Sequence, residues 1–167
     1  MSLSANVKVS INATQTKTAD FESASSAIAH ALSVAFSDGV AAGQANRIWK
    51  DTRTLAASAT EDLDFSGALL DIFGDAVVFA DIRAILITAD AANTNNVNVT
   101  RPAANGLPIF LAASDGVAVR PNGAFLYVAQ DTTAIPVTAG TADLLTLTNS
   151  SGTTGVTYSI TVLGSST

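Results

Sequence analysis

Strict alternation of apolar and polar residues runs through this chain and limits its fold more than any other feature. In VTYSITVL (156–163), Val156, Tyr158, Ile160 and Val162 fall on one side of an extended strand. Thr157, Ser159 and Thr161 fall on the other. Successive strand side chains point to opposite faces, so this spacing buries one face and leaves the other hydroxylated. LLTLTN (144–149) repeats the pattern, with Leu145 and Leu147 against Thr146 and Thr148. The Ser, Thr and Gly between the two runs suggest a hairpin.

The period recurs from end to end. Val7, Val9 and Ile11 alternate with Lys8, Ser10 and Asn12 and predict an opening strand, followed by a polar loop or arm over 14–26. AIAHALSVAF (27–36) sets Ile28, His30, Leu32, Val34 and Phe36 on one face, which predicts a strand despite its alanines. RIWKDTRTL and TEDLDF continue the series. SGALLDIFGD (66–75) opens on a Ser and closes at Gly74, the marks of a single helical turn capped by Ser66. AVVFADIRAILIT (76–88) is apolar on both faces and predicts one long central strand. VNVT (97–100), IFLAA (109–113) and AIPVT (134–138) add short strands. GVAVR-PNG-AFLYVAQ predicts a tight hairpin, with Pro121 and Asn122 suited to the turn and Gly123 to a left-handed position.

Some nine to eleven short strands, without long amphipathic helices between them, predict an all-β protein. The expected architecture is an antiparallel β-sandwich, for which a jelly roll is one available winding, with at most one or two helical turns. The 167 residues suit a single domain (1–167), in which 1–26 supply a strand and a polar arm. There is no cysteine, hence no disulfide framework or thiolate metal site.

Only 13% of residues are charged and 48% are hydrophobic. A dispersed monomer normally carries about 25% charge. Much of the surface must therefore be Ala, Ser, Thr, Asn and Gly, a composition that suits coverage by neighbours, so a homo-oligomer is expected. The net charge of −6 and the scattered Lys and Arg argue against nucleic acid as a partner. Asp71, Asp75, Asp81 and Arg83 interrupt the most apolar region, so no membrane span is expected. MSLSANVKVS lacks a positive segment ahead of an apolar one, so no signal peptide is expected.

Chemistry is sparse. His30 is the single histidine and shares its strand face with Ile28, Leu32 and Val34, which reads as packing or a subunit contact. Glu61, Asp62 and Asp64 lie close together. Asp62 and Asp64 share a face that could hold a hard cation or an acid/base pair, but a solvated polar face explains them as well. Asp81 and Arg83, two apart in an apolar run, read either as an inter-subunit ion pair or as an edge position facing water. No phosphate loop, dinucleotide fingerprint, nucleophile elbow or zinc-protease motif is present. No enzyme and no cofactor are expected. Arg47, Trp49 and Arg53 form the one aromatic and basic group, an interface anchor on one reading and core on the other.

DTRTLAASATEDLDFSGALLDIFG (51–74), NTNNVNV (93–99) and VAVRPNGAFLYVAQDTTAIPVTAGTADLLTLTNSSGTTGVTYSITVLG (117–164) resemble a family of small virion structural proteins of tailed bacteriophages. The likeness spans roughly 40–164 and is loose before that. It implies a capsid decoration or cement protein that binds the major capsid protein, usually as a trimer. Such a protein is made in the host cytoplasm and sits on the outer surface of the particle. A tail or fibre component that binds a host surface is the alternative. The family pattern includes no catalytic motif. Candidate contacts are the polar arm at 14–26 and the interface residues Arg47, Trp49, Arg53, Asp81 and Arg83.

Overall fold

The computed structural model describes residues 2–166, and these are all strand, turn or loop, with no helix among them. The strands are β1 (Ala5–Thr18), β2 (Ser23–Phe36), β3 (Arg47–Leu55), β4 (Thr60–Asp64), β5 (Ser66–Leu70), β6 (Ala76–Val78) and β7 (Asp81–Ala89). They continue with β8 (Val97–Thr100), β9 (Gly116–Val119), β10 (Ala124–Val128), β11 (Ile135–Pro136), β12 (Leu144–Asn149) and β13 (Val156–Ser165). Eight of them build an antiparallel β-sandwich. The first sheet runs β10-β7-β13-β3, with β11 added beside β7, and the second runs β4-β12-β8-β9.

Counted in chain order, the eight strands stand as first, eighth, third and sixth in one sheet. In the other they stand as second, seventh, fourth and fifth. Among these eight, only β8 and β9 follow one another within a sheet; every other step from one of the eight to the next crosses the sandwich. Two expected hairpins are therefore crossings. β12 and β13 lie in opposite sheets, joined by an arch that Asn149 organises. Its buried amide donates to the carbonyls of Ala56 and Thr154, and its Oδ1 accepts from Ser151 N–H. β9 and β10 also part company. Their PNG turn closes with a Gly123 N–H to Arg120 C=O bond, and Asn122 (φ 57), not Gly123, takes the left-handed position. Gly123 is needed because a Cβ there would crowd the Arg120 carbonyl.

The period-two sets fill the core as expected. Leu145, Leu147, Val156, Tyr158, Ile160 and Val162 are all buried, and they meet Leu63, Ile85, Ile87, Val97 and Val99 between the sheets. Each such side chain contributes roughly 1.5–3 kcal/mol on leaving water. The hydroxylated faces pair among themselves: Thr52 with Ser159, Thr54 with Thr157, Thr60 with Thr148. Like-for-like hydroxyl pairs across a strand pair satisfy each other without charge.

Four further expectations change. Residues 66–70 are strand, not a helical turn. Ser66 bonds Asp64 and Asp143, and the turn at 71–75 is held by Asp71, whose Oδ1 accepts from Phe73 and Asp75 N–H. The long run 76–88 divides into β6 and β7, because Phe79 N–H bonds Phe65 C=O and Ala80 N–H bonds Ser165 C=O, turning the chain between two sheets. IFLAA is loop, with Arg101 donating to the Phe110 carbonyl and Phe110 stacked against Phe125 at 5.8 Å. Finally, the polar segment 14–26, expected as a loop or arm, is a paired arm and not a loop. It is the far end of a hairpin, β1 on β2, paired from Ala5–Phe36 to Thr18–Ser23.

Candidate interaction surface

Among the described residues, the β1–β2 hairpin is the one element that does not close onto the sandwich along its length. Directly paired residues of an antiparallel ribbon share a face, so the register sets Val7, Val9, Ile11 and Ala13 with Val34, Leu32, His30 and Ile28 on one side. Asn6, Lys8, Ser10 and Asn12 lie on the other with Ala35, Ser33, Ala31 and Ala29. The apolar face packs only at its root. Val34 and Phe36 are buried against Ala84 and Leu163, with Leu3, Ala5, Val7 and Val128 around them.

The root is firmly held. Gln130 donates to the Ala35 carbonyl, Asp38 accepts from Leu3 N–H, and Ala45 N–H bonds the Ser37 carbonyl. From Lys8 to Ser33 every residue is exposed, including Ile11 at 63% and Ile28 at 55%. Nine residues per strand project past Val9, about 30 Å at the usual rise.

The root lies on the outer face of the first sheet, where pairing lays out successive rows. Val128, Ala84, Leu163 and Ile48 form the first; Leu126, Leu86, Thr161 and Lys50 the second; Ala124, Thr88, Ser159 and Thr52 the third. The hairpin covers Val128, Ala84 and Leu163 of the first row and leaves Ile48 exposed. Between Val7, Val9 and the second row lies a groove of about 610 Å³, whose floor includes Leu86, Leu126 and Thr161. A second groove, about 440 Å³, lies on the other side of Ile48, bounded by Leu3, Arg47, Trp49, Ile72 and Phe73. Among the described residues the exposed large apolar side chains sit on the arm and its root, the outer sheet face and the β5–β6 ribbon, with Leu111 the exception. Such a gathering is the mark of a surface that meets another surface.

The candidate residues divide. Arg47 is exposed beside the second groove. Trp49 is a core residue, 2% exposed, with its ring edge-on to Phe65 and its indole N–H bonded to the Leu70 carbonyl. Arg53 lies 5.5 Å from the Trp49 ring and binds Asp51 at 2.9 Å and Glu61 at 2.7 Å. Arg83 is wholly buried and pairs with Asp81 of its own chain at 2.7 Å, neither at an edge nor across a subunit boundary. Its Nη2 also donates to the carbonyls of Val40 and Thr132. The pair thus clamps two loops to β7. Sequence reasoning names a polar arm at 14–26 but not its extent: the arm takes in most of β1 and β2, and the face of Ile28, His30 and Leu32, read as packing or a subunit contact, is exposed on it.

The acids are tied into the scaffold. Glu61 accepts from Tyr158 Oη at 2.6 Å as well as from Arg53, joining the two sheets at one edge. Asp62 accepts from Thr146, and Asp64 from the N–H and hydroxyl of Ser66. Among the described residues no three His, Asp or Glu side chains come close enough together to hold a metal ion. No helix there is long and apolar enough to cross a membrane.

Burial, then the bond to Glu61, pushes the Tyr158 hydroxyl well above its ordinary pKa. The unfolded tyrosine ionises near pH ~10 while the folded one stays protonated. The stability from this site is therefore complete below pH ~10 and declines as pH rises beyond it. Tyr158→Phe should cost about 1–2 kcal/mol at neutral pH. It should also flatten the alkaline loss of stability, read by urea unfolding at a series of pH values. An unchanged alkaline slope would show that Tyr158 is not the group responsible.

No protein-family model, curated protein or solved structure matches the chain.

Proposed function

We propose that this chain is a structural protein of a tailed-phage virion, a capsid decoration or cement protein that binds the major capsid protein and stabilises the head shell without catalysis. The observation that carries the reading is the concentration of exposed apolar side chains on one arm and the surfaces around its root, on a body poor in charge. Such a surface is built for binding. The resemblance of residues 40–164 to small virion proteins supplies the class of partner. We take the interleaved strand order as a jelly roll, a winding used by viral capsid and lectin domains, and this supports the class by analogy of fold alone. A trimer on the outer surface is the expected form.

The mechanism is linkage. A protein that binds the assembled lattice and not its separated subunits raises the free energy of opening by its differential affinity. Arg47 and the groove beside Ile72 and Phe73 are the contact proposed toward the shell, since Trp49, Asp81 and Arg83 are spent within the fold.

The test is to image intact particles and count copies by quantitative gel. Density for this chain on the head, in hundreds of copies, supports the reading. So does release of packaged DNA at a lower temperature from particles lacking it. A few to a few dozen copies confined to the tail would favour the host-binding alternative. Absence from the particle would overturn both.

A further inference from the structure

The geometry points to arm exchange between copies of this chain: the projecting half of the β1–β2 hairpin lays its apolar face on the outer sheet face of a second copy. That surface is formed by Ile48, Leu86, Leu126 and Thr161. The inference concerns the chain's own assembly and stands whether or not the protein belongs to a virion.

Three observations select a second copy as the occupant. The first is that the chain already makes this contact once. Val34 and Phe36 of the arm pack on Ala84 and Leu163 of the first sheet row. The exposed residues further out, Val9, Ile11, Leu32 and Ile28, continue the same face at the same period. The second sheet row, with Leu86 39% and Ile48 beside it 48% exposed, continues the receiving surface. Donor and acceptor strips are extensions of one packed contact; the arm strip is exposed, and on the acceptor strip Leu86 and Ile48 are exposed while Leu126 and Thr161 are half-buried.

The second observation is charge. Lys8, Lys17, Asp20 and Glu22 make residues 5–36 neutral, so the whole net charge of −6 resides in the remainder. A neutral arm approaches an acidic body without repulsion. Asp20 and Glu22 sit at the arm's tip, whereas the receiving face offers Lys50, which forms no ion pair among the described residues.

The third is size. An isolated two-stranded ribbon is marginal in water, and both long edges of this one are open. A strip about 30 Å long and about 10 Å wide, laid on a matching surface, buries on the order of 600 Å² in total. Two reciprocal contacts in a closed symmetric pair reach ~1,200 Å², where stable interfaces begin.

The experiment uses the purified full chain. Sedimentation velocity should show an oligomer. Ile11→Asp on the arm and Leu86→Asp on the sheet should each weaken association on the order of a hundredfold. Circular dichroism should show that both remain folded, since both positions are solvent-exposed in the single chain. The absence of cysteine permits a direct check. Ile28→Cys protein mixed with Leu86→Cys protein should oxidise to a covalent heterodimer faster than either variant alone. Because the two cysteines are on different chains, the bond reports only contact between copies, even if an aspartate variant fails to fold. A wild-type monomer at all concentrations overturns the inference. So does an oligomer that survives both aspartates, which would be held by another surface. Dissociation by Ile11→Asp alone, without the mixed crosslink, would mean that arms pair with arms, and overturns the sheet as receiver.

Discussion

Arg83→Met should lower the stability of the fold by about 3–5 kcal/mol, the usual result of removing one partner from a buried ion pair. For a domain of this size that is a fall in melting temperature on the order of 10 °C. The guanidinium is fully buried and the Asp81 side chain only 13% exposed, so the carboxylate left behind would face little water. Ser165 Oγ would still donate to it, but one hydroxyl does not replace a charge. The loss has a second component, because the carbonyls of Val40 and Thr132 would lose their shared donor. The loops they belong to flank the arm's root, so amide exchange should accelerate there more than in the core. Asp81→Leu combined with Arg83→Met should recover much of the loss, since a buried pair is commonly replaceable by packed apolar groups. Urea midpoints of the three variants decide the matter. A single Arg83→Met variant within about 1 kcal/mol of wild type would mean that Asp81 is hydrated.

What could be read in the sequence was the set of facing residues, and what could not was which strands adjoin. Alternation reports which side chains share a face, a local property, and it placed Leu145, Leu147, Tyr158 and Ile160 in the core correctly. It says nothing about hydrogen-bond partners. The loop at 150–155 has the Ser, Thr and Gly of a hairpin turn, yet it arches between sheets because buried Asn149 satisfies backbone groups on both sides of the crossing. The PNG turn crosses likewise. The extent of the arm beyond 14–26 was illegible for a related reason. Ile28, Leu32 and Val34 follow one period, but only Val34 reaches the body, and no local signal marks where a strand leaves its core. Arg83 was ambiguous because a charge in an apolar run is either exposed or paired. Its remaining partners, Val40 and Thr132, are more than forty residues away in sequence.

Trp49→Ala should cost about 3–5 kcal/mol, the range for removing a large aromatic from a core. The indole is the first of three rings in a chain of edge contacts, 6.5 Å from Phe65, which in turn lies 6.1 Å from Phe79. Truncation would leave a cavity against Phe65 and remove the face that Arg53 lies over. Trp49→Phe separates packing from polarity. It keeps most of the apolar contact but drops the indole N–H, and so frees the Leu70 carbonyl at the end of β5. That bond ties the β5–β6 ribbon to the first sheet. Its loss should cost about 1 kcal/mol and speed proteolysis at Ile72 and Phe73, which are exposed at the ribbon's tip. The two readings of Trp49 then diverge in a measurable way. If it is core, the deficit of Trp49→Ala is the same at every protein concentration, because it belongs to the folding of one chain. If it anchored an interface, the deficit would shrink on dilution as the wild type itself dissociated. Thermal unfolding across a dilution series distinguishes them, and the buried position predicts a constant deficit. A deficit that vanished in the dilute limit would return Trp49 to the surface and reopen the groove beside Arg47 as the stronger binding site.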